Sequence, residues 1–262
     1  MKTMISKMSG APNIDSWMAC ARPNPRAKLR LLCFPYAGGN SMSYRSWADR
    51  IPKSVELRAV QLPGRGVRLL EPPFDRLVPL VEAIKPVILR LLDKPFALFG
   101  HSMGARVAFE LARLLRREEN LEPAHLFVSG CRAPQLPIED RAVYGLPEPE
   151  FIEELRRLNG TPKEVLENQE LMQLMIPLLR ADFAICSTYT YMPEPPLNCP
   201  ISAYGGLADP EVSRESLEAW REQTASAFNL RLFPGDHFFI NTNQPLPLRV
   251  LSEELYHLAN AV

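Results

Sequence analysis

The chain lacks any run of about 18 apolar residues, so no segment of it is suited to cross a membrane as a helix. The first ten residues carry Lys2 and Lys7 but no apolar stretch behind them, so a secretory signal is not expected. An excess of one charge is missing as well. Thirty Lys and Arg balance thirty Asp and Glu, so no bulk field draws nucleic acid to this surface. Cysteine is sparse and scattered: Cys20, Cys33, Cys131, Cys186 and Cys199 form no CxxC pair. A zinc site is therefore not expected, and an odd number of thiols without a signal fits a reducing cytoplasm. Cys33, inside an apolar run, reads as a small buried hydrophobe. Histidine is the scarcest of the chemically useful residues, with four in 262. That scarcity makes assignment by elimination possible.

What is present is enough apolar residue (46%) for a large core. Short apolar runs read as buried strands at 29–34, 55–62, 96–99, 126–129, 201–204 and 230–233. Helical patterns lie between them at 44–50, 77–92, 105–117, 213–225 and 248–259. Alternation of this kind predicts an α/β fold, with a mainly parallel sheet and helices on both faces. Pro86 is expected to kink or end its helix. Residues 1–27 read as a flexible leader, and 28–133 with 197–262 as the core. Residues 134–196 break the alternation with helical patterns at 148–158, 162–168 and 169–191, the last expected to kink at Pro177. The segment far exceeds an ordinary connection. A helical lid insertion explains it better than a βαβ crossover with extra turns.

The sharpest local signal is Gly100-His101-Ser102-Met103-Gly104, a G-x-S-x-G between a strand and a helix. A nucleophilic serine must stand on a tight turn, where larger neighbours than Gly100 and Gly104 would collide. It also needs a base. His101 adjoins the serine and points elsewhere, His125 begins a strand, and His257 lies in the C-terminal helix. His237 remains, in the loop after strand 230–233, at the carboxyl end where such sheets place their sites. Asp209, hanging from the end of strand 201–204, is the expected orienting acid. Asp236 is the runner-up, though it adjoins His237. The order Ser102, Asp209, His237 is that of the α/β-hydrolase fold. For a developing oxyanion, the backbone amides of Met103 and Ala37 are the expected donors, with Tyr36 as the alternative to Ala37. The loop Phe34-Pro35-Tyr36-Ala37-Gly38-Gly39 lacks the lysine of a phosphate loop.

These residues resemble the type II thioesterases that accompany modular peptide and polyketide synthetases. The resemblance spans about residues 28–260. It rests on Phe34-Pro35-Tyr36-Ala37-Gly38-Gly39, Gln61-Leu62-Pro63-Gly64-Arg65, Gly100-His101-Ser102-Met103-Gly104-Ala105, Ser129-Gly130-Cys131-Arg132-Ala133-Pro134, Gly205-Gly206-Leu207-Ala208-Asp209 and Pro234-Gly235-Asp236-His237-Phe238-Phe239. Leu178-Leu179-Arg180-Ala181-Asp182 resembles a lid motif of the same enzymes. Cys131 departs from the arginine common in relatives. The resemblance implies hydrolysis of acyl or aminoacyl thioesters from the phosphopantetheine arm of a carrier protein; the triad chemistry, through an acyl-enzyme on Ser102, is expected to need no cofactor and no metal, and a monomer is expected. Related members release medium-chain fatty acids. A small-molecule carboxylesterase or lipase keeps the same triad; a catalytically inert binding module would not need it. Substrate contacts are expected from Tyr36 in the loop after the first strand and from Met175 and Leu179 on an apolar lid face. Contacts to the carrier protein are expected from Arg65 and Arg68, and less from Arg113, Arg116 and Arg117.

Overall fold

The computed structural model describes residues 13–137, 142–242 and 245–261. In chain order it contains α1 (Ile14–Trp17), β1 (Met18–Ala19), β2 (Leu29–Phe34), β3 (Val55–Val60), α2 (Leu77–Leu89), β4 (Phe96–His101), α3 (Met103–Glu119) and β5 (His125–Ser129). Then follow α4 (Glu148–Leu158), α5 (Lys163–Leu166), α6 (Gln169–Ser187), β6 (Ile201–Gly206), α7 (Arg214–Glu218), β7 (Phe228–Phe233), α8 (Phe239–Thr242) and α9 (Pro245–Ala261). One seven-stranded sheet runs β1-β3-β2-β4-β5-β6-β7. Every pairing is parallel except β1 with β3. No helix among the described residues is long and apolar enough to cross a membrane.

The sheet is covered on both faces. In β2, Leu32 and Phe34 join Ile84 of α2 and Leu111 of α3 in one apolar layer. Leu29, Leu31 and Cys33 point the other way, toward Trp47, Leu251 and Leu255. β2 is buried along its whole length, as a strand with helices on both sides must be. Helix α2 buries Leu77, Leu80, Val81, Ile84, Val87 and Ile88 at the three- and four-residue spacing of one helical face. Pro86 is carried inside it and the helix stops three residues later.

The boundaries depart from expectation in several places. Of the leader assigned to residues 1–27, 1–12 lie outside the described residues. The rest is not a free arm: Trp17 and Met18 are buried, and Met18 pairs with Val60 and Ala19 with Ala59 at the sheet edge. The helix expected at 44–50 is a 3-10 helix over Ser41–Asp49. That expected at 213–225 is α7 followed by a 3-10 turn over Ala219–Gln223. Between β5 and β6, the described residues of 134–196 hold α4, α5, α6 and a 3-10 turn, and no strand. Helix α6 carries Pro177 internally and stops at Ser187, short of the expected Tyr191.

Candidate active site

Strand β4 leads directly into α3 through Ser102, whose backbone sits at φ 52°, ψ −118°. A non-glycine residue with positive φ here is strained, and the flanking glycines make the geometry possible. A Cβ on Gly100 would lie 2.1 Å from the Gly104 carbonyl oxygen, and one on Gly104 would lie 2.1 Å from that of Phe34. The Ser102 amide donates to the Ser129 carbonyl at 2.8 Å, which ties the turn to β5. Met103, the next residue, opens α3, so its amide has no partner within the helix.

His237 stands in the loop between β7 and α8. Its Nδ1 lies 2.8 Å from Asp209 Oδ2, and the Asp209 side chain is fully buried. The other Asp209 oxygen accepts from the amides of Glu211 and Val212 at 2.8 and 3.2 Å. Both lone-pair faces of the acid are therefore used, and its orientation is set by backbone. Asp236 faces away: it accepts from the Phe238 amide and from Asn159 at the end of α4. The remaining histidines are placed differently. His101 is wholly buried, with Nδ1 2.9 Å from Ser129 Oγ, and burial, aided by His237, pushes its pKa well below the usual imidazole value. His125 stacks on Phe127 and contacts Ser202 Oγ at 2.9 Å; burial lowers its pKa to about 4. His257 is exposed.

Ser102, Met103, Ala37 and His237 line one cavity of about 230 Å³, walled by Phe183 and Phe238. Tyr36 lines it as well and packs edge-on against Phe238. Leu179 belongs both to this cavity and to a neighbouring one of about 150 Å³. Met175 lines only the neighbour, so it stands one compartment away from the serine. Among the described residues no group of His, Cys, Asp and Glu could hold a metal ion.

Arg65 and Arg68 are not surface contacts. Both are only 5% exposed. Arg65 forms a two-pronged pair with Asp182 of α6, at 2.7 Å for each bond. Arg68 bonds Glu71 and the Gln61 carbonyl, and its guanidinium lies 3.6 Å from the centre of the Trp17 ring. Arg113 and Arg116 are likewise engaged by Glu194, and with Arg117 they fasten the end of the helical segment to α3. Asp182 is not among the residues expected at the site, although it ends the Leu178–Asp182 motif. The available signal is an acid at three- and four-residue spacing from Leu178, Leu179 and Ile185, on the buried face of α6. Arg106 and Arg132, in the wall of the larger cavity, were also missed.

The chain is similar in sequence and fold to known proteins. A family model described as a thioesterase domain matches residues 29–253. The gramicidin S biosynthesis protein GrsT of Aneurinibacillus migulanus is 47% identical over 233 residues, covering 89% of this chain and 91% of that protein. The solved structure of BorB, the type II thioesterase from the borrelidin biosynthetic cluster, superposes with a TM-score of 0.85 at 36% identity, covering 93% of this chain and 99% of that one. RedJ, a thioesterase from the prodiginine pathway in Streptomyces coelicolor, gives a TM-score of 0.82 at 39% identity, covering 97% and 96%.

Proposed function

We propose that this chain, which belongs to the thioesterase domain family, is an editing (type II) thioesterase that hydrolyses acyl or aminoacyl groups from the phosphopantetheine arm of a carrier protein. The single observation behind the chemistry is that a strained serine and a carboxylate-held imidazole open onto the same apolar cavity. The assembly-line context is supported by BorB and GrsT, whose names tie them to antibiotic biosynthesis.

In this reading Ser102 Oγ attacks the thioester carbonyl carbon and its proton passes to His237 Nε2. Asp209 holds Nδ1–H and stabilises the imidazolium. The carbonyl oxygen becomes an oxyanion, and the amides of Ala37 and Met103 donate to it. Collapse breaks the carbon–sulfur bond, and the departing thiolate takes the proton from His237. Water then attacks the acyl-enzyme and gives a proton to the same nitrogen; collapse breaks the bond between the acyl carbon and Ser102 Oγ, His237 returns the proton to that oxygen, and the carboxylic acid leaves. No step requires a cofactor.

The test compares one acyl group on a holo carrier protein, on a short pantetheine mimic, and on a p-nitrophenyl ester. The carrier-bound thioester is expected to give the highest kcat/KM, by about tenfold or more, since a protein surface adds encounter and orientation. Equal or better hydrolysis of the small ester would replace the carrier-protein reading with a small-molecule esterase.

A further inference from the structure

We infer that Asp182 and Arg65 form a positioning pair that sets the oxyanion-binding loop, and that through this pair helix α6 governs whether the site is competent. The inference rests on the thioester-hydrolase reading and extends it to residues that do not touch substrate.

The loop after β2 contains a β-turn, Tyr36 to Gly39, closed by the Gly39 amide donating to the Tyr36 carbonyl at 2.9 Å. Gly38, at its third position, has φ 75°, as a type II turn requires. In a trans peptide the N–H and C=O point in opposite directions. The Tyr36 carbonyl is turned toward Gly39, so the N–H of the same peptide, that of Ala37, is turned to the other side. Ala37 lies on the wall that it shares with Ser102.

Type I and type II turns differ chiefly by a flip of the central peptide. Here that peptide is held. The Gly38 amide, which belongs to that peptide, donates to Asp182 Oδ2 at 2.7 Å, and Arg65 Nη1 fastens the exit of the turn by donating to the Gly39 carbonyl at 3.0 Å. Arg65 grips both oxygens of Asp182 in turn. Asp182 is completely buried, and its bonds run to a loop 144 residues away and to Arg65, 117 residues away. One turn earlier on α6, Leu179 rests on the same glycine: a Cβ on Gly38 would lie 2.7 Å from Leu179 Cδ2. Leu179 lines the acyl-side cavities. A single helix face therefore meets the acyl group through Leu179 and the oxyanion loop through Asp182. Displacing α6 withdraws the carboxylate and releases the turn.

The decisive experiment separates transition-state from ground-state binding. An alkyl trifluoromethyl ketone adds to Ser102 and places an oxyanion in the hole; the matching alkyl amide is bound but not attacked. Asp182→Asn keeps a carbonyl acceptor for Gly38 but loses the two-pronged charge pair. It is expected to lower kcat about 10- to 100-fold, less than outright loss of an oxyanion donor. Affinity for the ketone should fall in proportion, while affinity for the amide stays within about twofold. Arg65→Lys keeps the charge but not the fork, and should show the same pattern more weakly. It carries the test if Asp182→Asn does not fold. Equal loss on both ligands, or unchanged ketone affinity beside a lowered Tm, would overturn the positioning role. A wild-type protein inert toward carrier-bound thioesters would sink the functional reading instead, and the ketone-to-amide ratio would still judge the pair.

Discussion

Strands β2, β4 and β6 are buried from end to end, and two continuous apolar layers hold them. The helical segment between β5 and β6 has a separate small cluster: Phe151, Leu155, Met172, Ile176 and Leu179. Only toward its end does α6 enter the main core, where Ile185 packs. The two regions thus differ in how much stabilises them, and the parts of the site are divided accordingly. Ser102, Asp209 and His237 hang from the sheet. The walls of the cavity belong partly to the helices. A rigid scaffold carries what must not move, and a lightly anchored one carries what must admit a substrate.

The sharpest test of the rigid side is Ser102→Ala. Turnover should vanish while Tm stays close to that of the wild type, because only a hydroxyl is removed, no core contact is lost and the backbone of the turn is unchanged. A fluorophosphonate should label the wild type once, at Ser102, by mass spectrometry, and the variant not at all. Label on another residue would move the nucleophile. His237→Ala should come next, with a loss of about 10⁴-fold or more in kcat. Asp209→Asn added to it should cost far less than alone, since the members of such a unit do not act independently. Losses that multiply would break the unit, and Asp236→Asn as the damaging change would contradict the contacts that Asp236 makes with Asn159 and the Phe238 amide.

These assignments were legible because the chemistry demands particular residue types in a particular chain order, and the candidates were few. What was not legible depended on partners far away in sequence. Arg65 and Arg68 follow a glycine in a loop, which locally looks like an exposed rim. Their burial comes from Asp182 in one case and Trp17 in the other. Trp17 was itself read as part of a free leader, because a two-residue strand has no periodicity to detect. The Arg68–Trp17 contact links two of these errors, and the Arg65–Asp182 pair accounts for the third. The 3-10 stretch after α7 was hidden for a different reason: its apolar spacing at Leu217 and Trp220 suits either kind of helix.

The contrast between the regions is sharpened by paired truncations. Leu111→Ala, in the main core, should cost about 2–5 kcal/mol of global stability. Phe151→Ala, in the small cluster, removes a comparable side chain, worth about 3–5 kcal/mol locally. Its cost should appear as faster amide exchange confined to α4 and the first half of α6, with a smaller fall in Tm. Equal global destabilisation by both would show that sheet and helices unfold as one unit.

A smaller effect concerns pH and the sheet side alone. Burial holds His125 neutral down to about pH 4, although Glu254 stands 4.0 Å away. The unfolded chain takes up that proton near pH 6.5. Between those values the unfolded state binds more protons, so stability should rise with pH through the window and be lost as pH falls from 6.5 toward 4. The contribution is about 2–3 kcal/mol. His125→Gln, which keeps a donor for Ser202, should flatten the slope in denaturant titrations at pH 4.5 and 7. An unchanged slope would place the acid sensitivity elsewhere.

The mildest change probes the helical side without disturbing the reacting groups. Leu179 is a poor choice, because it touches Gly38 as well as both cavities, so a larger residue there would alter the loop after β2 and both cavities together. Met175 lines only the outer cavity and is flexible enough in its own right to yield volume to a replacement. Met175→Phe should narrow that compartment while leaving the wall around Ser102 as it is. Hydrolysis of acetyl thioesters should then match the wild type, and kcat/KM for chains long enough to reach the outer cavity should fall by about tenfold, the scale of a few methylenes in an apolar pocket. The loss should lie in substrate discrimination, with Tm nearly unchanged. If chain-length preference stays flat across Met175→Phe and Met175→Trp, the apolar face of α6 serves packing alone at this position, and the acyl group is measured entirely by the cavity that Ser102 itself lines.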